Sequence, residues 1–158
     1  MKITVWGGSG FLGSHVSDIL TNAGHKVIIA DIIDSPWKNN KQEMFIGDVT
    51  KKSDVIKSTR NCDIVYNFAG ISDIGKANLD PIATVDQNIK GNLNILDAAV
   101  QNKVSQYIFA STVYVYSQSG GFYRCSKQAS ELFIEEYARK HNLKYTILRF
   151  GTLYGPRS

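Results

Sequence analysis

A tyrosine and a lysine four positions apart, Tyr123 and Lys127, are the residues of this sequence best suited to proton chemistry. Side chains spaced by four on an α-helix lie on the same face, one turn from each other. A nearby ammonium group favours a phenolate, so the pair predicts that Lys127 lowers the pKa of Tyr123 from its ordinary value of about 10. Such a tyrosine can accept a proton near neutral pH. The pair alone is a weak signal, because both residue types are common.

A glycine-rich turn follows the first apolar segment and opens the first amphipathic one. Its glycines, Gly7, Gly10 and Gly13, are each three apart, which differs from the commoner G-x-G-x-x-G spacing. Glycine permits a tight turn and lets the backbone approach a pyrophosphate. The N-terminus of the following helix offers unpaired N–H groups to the phosphates. In this strand–turn–helix context the glycines predict a dinucleotide-binding site.

Asp31 ends the second apolar segment, close to the spacing of about 20 residues at which a ribose-binding carboxylate follows the glycine turn. A carboxylate at this place accepts hydrogen bonds from the ribose hydroxyls and repels a 2′-phosphate. The next two residues are Ile32 and Ile33, so no arginine follows that could hold a 2′-phosphate. The sequence therefore predicts NAD as the cofactor, in preference to NADP.

Short apolar segments alternate with longer amphipathic ones, which predicts a parallel sheet covered by helices. Six strands are expected, at Lys2–Trp6, Lys26–Ala30, Glu43–Ile46, Ile64–Phe68, Gln106–Ala110 and Tyr145–Phe150. The expected helices are Phe11–Ala23, Lys51–Ser58, Pro81 to about Asn102, and Tyr123–His141. With right-handed crossovers, these elements form one α/β domain over residues 1–158. It is a doubly wound (Rossmann) parallel sheet with strand order 3-2-1-4-5-6 and helices on both faces.

The length and composition of the chain favour one globular domain and argue against several other classes of protein. A chain of 158 residues, 43% hydrophobic and 20% charged, is typical of one globular domain. Its net charge of +4 is scattered along the chain, which argues against a nucleic-acid partner. No apolar run approaches the roughly 18 residues of a membrane helix, so no membrane partner is expected. Two cysteines and three separated histidines predict neither a disulfide framework nor a metal site, and the protein is expected to be cytoplasmic.

The segment Phe109-Ala-Ser-Thr-Val-Tyr-Val-Tyr116, followed by the tyrosine–lysine pair, resembles the extended short-chain dehydrogenases/reductases, and within them the nucleotide-sugar epimerase/dehydratase group. The likeness covers the whole chain. It includes the glycine turn, Gly47-Asp-Val49, Phe68-Ala-Gly70, Asn88-Ile-Lys-Gly-Asn-Leu-Asn94 and Arg149-Phe-Gly-Thr-Leu-Tyr-Gly-Pro156. The resemblance implies NAD held by Gly7, Gly10, Phe11, Leu12, Gly13, Asp31, Ile32, Asp48, Val49, Phe68, Ala69, Gly70, Asn88, Tyr123 and Lys127.

The same resemblance implies a catalytic triad of Thr112, Tyr123 and Lys127, with Thr112 rather than Ser111 as the catalytic hydroxyl. Thr112 would hydrogen-bond a sugar hydroxyl or ketone at the carboxyl edge of the sheet. Tyr123 would take the proton of that hydroxyl as hydride leaves its carbon for the nicotinamide. Lys127 would hold the nicotinamide ribose. The implied function is that of an NAD-dependent epimerase or dehydrogenase acting on a nucleotide-sugar.

Three departures from the family pattern qualify this assignment. Val113 and Tyr114 stand where sugar 4,6-dehydratases carry an Asp-Glu pair, which disfavours the elimination of water. The connection between the catalytic threonine and the tyrosine is shorter than in most sugar epimerases, so it carries fewer substrate contacts. Ser117 and Thr152 replace a glycine and an asparagine of the family motifs, and the second change affects a usual substrate contact.

Family members continue past the Tyr-Gly-Pro segment into a C-terminal lobe that binds the substrate. We therefore expect these 158 residues to bind NAD and to turn over little or no substrate alone. Two other functions remain open: an NAD(P)-dependent reductase or dehydrogenase of a non-sugar alcohol, and a non-catalytic NAD-sensing protein. The presence of all three catalytic residues disfavours the sensor. The expected partners are a small-molecule substrate, a nucleotide-sugar by resemblance, and a second copy of the chain in a homodimer.

Overall fold

The computed structural model describes all 158 residues and contains a parallel sheet of six strands. The strands are β1 (Lys2–Trp6), β2 (Lys26–Asp31), β3 (Glu43–Ile46), β4 (Ile64–Asn67), β5 (Gln106–Thr112) and β6 (Lys144–Phe150). The α-helices are α1 (Phe11–Asn22), α2 (Lys52–Ser58), α3 (Ile74–Leu79), α4 (Pro81–Thr84), α5 (Gly91–Gln101) and α6 (Gly121–His141). The order β3-β2-β1-β4-β5-β6 confirms the predicted doubly wound topology. None of the helices combines the length and apolar character needed to cross a membrane.

Two hydrophobic clusters show that helices cover both faces of the sheet. Alternate residues of a strand point to opposite faces. In β1, Ile3 and Val5 pack with Leu20 of α1 on one face, whereas Trp6 belongs to the larger cluster on the other face. That larger cluster joins the sheet to α2, α5 and α6 through Val55, Val65, Ile95, Leu96, Tyr107, Phe109 and Ile134. Each large apolar side chain buried in this way stabilises the fold by roughly 1.5–3 kcal/mol.

The helical segment that begins at Pro81 is interrupted by a π-turn. α4 ends at Thr84, residues Val85–Lys90 form the π-turn, and α5 begins at Gly91. A π-turn adds one residue to a helical turn and thereby changes which side chains face inward. Here it leaves Asn88 only 3% exposed. Apolar spacing predicted the helix but not the interruption, because the bonds that stabilise it come from residues distant in sequence.

Two short elements at the carboxyl edge of the sheet were not predicted. α3 lies against the start of α6, where the Asn78 side chain accepts the N–H of Phe122 at 3.1 Å. A 3₁₀ turn, Val113–Tyr116, directly follows β5, and the Thr112 hydroxyl accepts the Tyr114 N–H at 3.3 Å. Elements of one or two turns contain too few residues to show a hydrophobic period. Both shape the edge at which ligands bind in this class of fold.

Candidate active site

A cleft of about 790 Å³ opens at the carboxyl edge of the sheet. Its volume is within the range of small-molecule sites. It lies where the strand order reverses between β1 and β4, the switch point at which doubly wound folds bind their ligands. Most of the predicted cofactor and catalytic residues line it: Gly7, Gly10, Phe11, Leu12, Gly13, Asp31, Ile32, Val49, Phe68, Ala69, Gly70, Thr112, Tyr123 and Lys127.

The glycine turn between β1 and α1 consists of backbone packed too closely to admit side chains. Gly7 has a φ of +75°, and a Cβ there would lie 2.6 Å from backbone atoms of Phe68 and Ala69. A Cβ on Gly13 would overlap the Gly7 carbonyl oxygen. α1 begins at Phe11 with no side-chain cap and no acidic residue in its first turn. Its first N–H groups are therefore available to an anion, and the turn fits a phosphate group.

Asp31 lies beside this turn at the end of β2, and backbone groups orient its carboxylate. Oδ2 accepts the N–H of Ser9 at 2.9 Å, and Oδ1 accepts the N–H of Ile32 at 2.8 Å. Each carboxylate oxygen has a second lone pair, so the group can also accept bonds from ribose hydroxyls. Ile32 and Ile33 are both exposed beside it. These surroundings suit an adenosine ribose that carries no 2′-phosphate.

Asp48 and Asn88, which were also predicted to bind the cofactor, do not line the cleft. Asp48 Oδ1 accepts both the N–H and the hydroxyl of Thr50 at 2.8 Å. Asn88 donates to the Ile71 carbonyl at 2.9 Å and to Ser126 Oγ at 2.8 Å, and its Oδ1 accepts the Ile71 N–H at 2.7 Å. The π-turn directs Asn88 into these bonds. Asp48 and Asn88 hydrogen-bond to backbone groups next to the cleft, and their side chains do not line the cleft.

Thr112, Tyr123 and Lys127 converge on the wall that β5 and α6 form. Thr112 is buried at the end of β5, whereas the hydroxyl of its neighbour Ser111 donates to Glu131 of α6 at 2.5 Å. Ser111 also lines the cleft, but its hydroxyl is engaged by Glu131, and this supports Thr112 as the hydroxyl available to a substrate. Lys127 follows Tyr123 by one helical turn, with its Nζ 5.8 Å from the centroid of the Tyr123 ring.

Lys127 is a buried cation that the end of β5 holds in place. Only 6% of it is exposed, its Nζ donates to the Ala110 carbonyl at 2.8 Å, and the ammonium lies 4.6 Å from the Phe109 ring centroid. Burial lowers the pKa of Lys127 to about 8, although the negative charge of Glu131 opposes this. The side chain therefore titrates close to the physiological range.

The pKa of Tyr123 moves in the direction opposite to the prediction. Burial raises it above the ordinary value, and a hydrogen bond with the Thr112 hydroxyl offsets only part of that effect. The prediction that Lys127 lowers this pKa is therefore wrong for the protein by itself. The physical reason is that the Lys127 ammonium points at the Ala110 carbonyl, while the phenol is partly removed from water.

The short connection between β5 and α6 is held by side chains of α6. Arg124 donates to the Ser117 carbonyl at 2.8 Å, and Gln128 donates to the Val115 carbonyl at 2.9 Å. Gly121, at the start of α6, has a φ of +52°, and a Cβ there would overlap the side chain of Asn78 in α3. These contacts place the first turn of α6, and with it the tyrosine, at the mouth of the cleft.

Comparison with known proteins tests the family that the motifs suggested. The profile of the NAD dependent epimerase/dehydratase family matches residues 3–158. The chain belongs to this family. The prediction made from the motifs is thereby confirmed, including the dependence of the family on NAD.

Three relatives illustrate the extent of the match. A putative UDP-glucose 4-epimerase of Methanocaldococcus jannaschii is 30% identical over 173 residues, which cover 98% of this chain and 57% of the relative. The UDP-glucose 4-epimerase of Thermotoga maritima, solved with UDP-glucose, has 28% identity and a TM-score of 0.93, covering 99% and 57% of the two chains. The Thermus thermophilus enzyme, solved with NAD, has 28% identity, a TM-score of 0.91 and the same coverage. This chain spans a little over half the length of these family members.

Part of the cleft wall was not predicted from the sequence, although Thr152, which also lines it, was named as the place of a usual substrate contact. Three of the residues that were not predicted follow β4, one lies in the π-turn, and three end or follow β6: Ile71, Ser72, Ile74, Gln87, Phe150, Gly151 and Leu153. Position is the signal that could have found most of them, because residues just beyond the carboxyl ends of neighbouring parallel strands meet at one edge. Gln87 had no such signal, since it reaches the cleft through the π-turn.

Proposed function

We propose that this chain is the cofactor-binding part of an NAD-dependent epimerase or dehydrogenase of nucleotide-activated sugars, with Thr112, Tyr123 and Lys127 as its catalytic residues. The observation that carries this proposal is that the three side chains line the same cleft as the glycine turn and Asp31. The T. maritima and T. thermophilus epimerases were solved with UDP-glucose and with NAD, which supports these two classes of ligand. We expect a substrate lobe in the part of the relatives that this chain does not span.

NAD fits the residues that are present. The backbone of the glycine turn and the uncapped start of α1 would hold the pyrophosphate. Asp31 would accept the hydroxyls of the adenosine ribose, and Lys127 would donate to the nicotinamide ribose. When bound, NAD supplies a hydride acceptor, which no side chain can provide. The exposed Ile32 and Ile33 beside Asp31 offer no charge to a 2′-phosphate, so NAD is favoured over NADP.

The side chains at the β5–α6 wall handle the proton of the substrate. Thr112 orients a sugar hydroxyl by hydrogen bonding, and Tyr123 accepts the proton of that hydroxyl. Because the pKa of Tyr123 is raised in the protein itself, its deprotonation requires positive charge in the cleft. Lys127, which is protonated below about pH 8, is the cation that the chain supplies there.

The chemistry we propose is oxidation at a carbinol without elimination of water. The two positions at which dehydratases carry an acid and a base are occupied here by Val113 and Tyr114, at the start of the 3₁₀ turn. Both line the cleft, but neither side chain carries a carboxylate. The site therefore suits epimerases and dehydrogenases of nucleotide-sugars better than dehydratases.

The first test is cofactor binding. Calorimetry should show that NAD binds at least about tenfold more tightly than NADP, because a 2′-phosphate would displace the ribose bonds to Asp31 and face its charge. The variant Tyr123→Phe should retain this affinity, since it removes only the hydroxyl that accepts the proton. Failure to bind NAD would contradict the proposal.

The second part of this test separates the enzyme classes. Millimolar UDP-, GDP- and TDP-sugars are mixed with the NAD-bound chain, and NADH formation is followed in a single turnover. We expect one nucleotide-sugar to reduce NAD slowly in the parent chain and in the control Tyr154→Phe, whose tyrosine is 90% exposed, but not in Tyr123→Phe. Reduction by simple alcohols alone would favour the alcohol dehydrogenase.

A homodimer is the proposed assembly. Exposed apolar side chains lie on α3, α4, the π-turn and α6: Leu79, Ile82, Val85, Phe122 and Phe133. Exposed apolar groups in such numbers are typical of an interaction surface. We expect a dimer in analytical ultracentrifugation that the substitution Phe122→Glu converts to a monomer. A parent chain that sediments as a monomer at high concentration would rule this assembly out.

A further inference from the structure

An ion pair between the buried Glu131 and the exposed Arg149 lies beside the wall formed by β5 and α6, and the mechanism above does not use it. Glu131, one turn beyond Lys127 on α6, is 7% exposed. Its Oε1 accepts Ser111 Oγ–H at 2.5 Å and Arg149 Nε–H at 3.0 Å, and its Oε2 accepts Arg149 Nη2–H at 2.7 Å. Arg149 also donates through Nη1 to the Tyr116 hydroxyl, with its Cζ 4.9 Å from the Tyr116 ring centroid. One carboxylate thus connects α6 with β5, β6 and the 3₁₀ turn.

The partners in this network lie in or near the wall of the cleft. Ser111 precedes Thr112 in β5, and Tyr116 ends the 3₁₀ turn that Thr112 caps. Arg149 precedes Phe150, which lines the cleft. Hydrogen bonds to charged groups are stronger than those between neutral groups. The network therefore restrains the backbone on both sides of the catalytic threonine.

Glu131 remains ionised in this position. Burial opposes ionisation, but hydrogen bonds from Arg149 and Ser111, together with the positive charges of Arg149 and Lys127, hold the pKa of Glu131 below its ordinary range. A permanently charged carboxylate one helical turn from a buried ammonium group favours the protonated form of that ammonium.

Glu131 is the charged group that acts on Lys127. The other groups that face the ammonium are neutral: the Ala110 carbonyl and the Phe109 ring from β5, and the phenol of Tyr123 from α6. Burial lowers the pKa of Lys127, and the charge of Glu131 raises it. Without that charge, only burial would determine how much of Lys127 is protonated.

We propose that Glu131 is a positioning residue of this site. Its carboxylate fixes the ends of β5 and β6 against α6, and its charge keeps Lys127 protonated where a ribose hydroxyl must be held. The proposal rests on the proposed function for the role of Lys127, but its test does not depend on turnover. A carboxylate that only braced the fold would affect stability and leave the titration of Lys127 unchanged.

The test follows the titration of Lys127 directly by NMR of the protein labelled with ¹³C at the lysine ε-carbons. The Lys127 signal is the one that disappears in Lys127→Met. We expect its midpoint in Glu131→Gln to fall at least about half a unit below that of the parent chain. The pH above which NAD affinity declines should move down by the same amount. Loosening of the site would expose Lys127 to water and shift the midpoint upward, so the sign separates lost charge from lost structure.

Asp97→Asn is the matched control. Asp97 of α5 accepts from Lys52 Nζ at 2.8 Å and from the Tyr137 hydroxyl at 2.5 Å, and so joins α2 and α6 away from the cleft. This variant should lower the melting temperature without moving the midpoint of Lys127. If Glu131→Gln does not fold, the neutral pair Glu131→Gln with Arg149→Gln provides the same measurement and should also shift the midpoint downward. An unchanged or raised midpoint in the Glu131 variants overturns the proposal, whether or not a nucleotide-sugar reduces the bound NAD.

Discussion

The two ends of the cleft are built in different ways. The end that suits a pyrophosphate is made of backbone, since Gly7 and Gly13 bring the β1–α1 turn into contact with itself and with the end of β4. The other end, which we propose to be the catalytic end, is made of side chains, with Thr112 from β5 and Tyr123 and Lys127 from α6. One added methyl group should therefore weaken ligand binding at the backbone end. At the side-chain end, the protonation of the side chains depends on nearby charges and on burial.

The largest effect is expected from a methyl group at the backbone end. In Gly13→Ala the new Cβ would overlap the Gly7 carbonyl oxygen, and neither group can move without displacing the turn. We expect NAD affinity to fall at least about a hundredfold in calorimetry, which corresponds to a loss of about 2.7 kcal/mol of binding free energy.

Gly75→Ala in α3 is the control for this variant. The nearest atom to its Cβ is Oδ1 of Asp73, at 3.1 Å, a side-chain atom instead of the backbone that Gly13 meets. This variant should bind NAD as the parent chain does. Equal affinity in Gly13→Ala would mean that the turn tolerates a side chain, and the contrast between the two ends would then be lost.

A smaller effect, visible as a dependence on pH, is expected at the catalytic end. The pKa of Lys127 is about 8 in the folded protein and 10.5 for an ordinary lysine. Between these values the unfolded chain binds more protons than the folded one, so the free energy of unfolding rises with pH through this window. Relative to Lys127→Met, which lacks this group, the parent chain should gain up to about 3 kcal/mol as the pH rises from below 8 to above 10.

Urea unfolding of both proteins across this range gives the measurement. Lys38→Met, which changes an exposed lysine of the β2–β3 connection, serves as the control and should follow the parent chain at every pH. Parallel curves for the parent chain and Lys127→Met would show that Lys127 is not held as a buried cation, and the catalytic end would then depend on geometry alone.

The backbone end of the cleft could be predicted from the sequence to a larger extent than the surroundings of the side chains at the other end. The glycine turn and Asp31 were found from spacing, because a strand, a tight turn and a helix start are encoded by neighbouring residues. Thr112 was distinguished from Ser111 by alignment with the family motif, and the bond from Ser111 to Glu131 supports that choice. Asn88 was assigned to the cofactor, yet the π-turn places it in bonds to Ile71 and Ser126.

By itself, the sequence determined the family and the order of strands, since both depend on local patterns repeated along the chain. The tertiary structure alone decided the direction of the Tyr123 pKa, the low pKa of Lys127 and the network around Glu131. These properties depend on burial and on charges brought together from β5, β6 and α6. No spacing in the sequence records how far a side chain is removed from water or which distant charge it meets there.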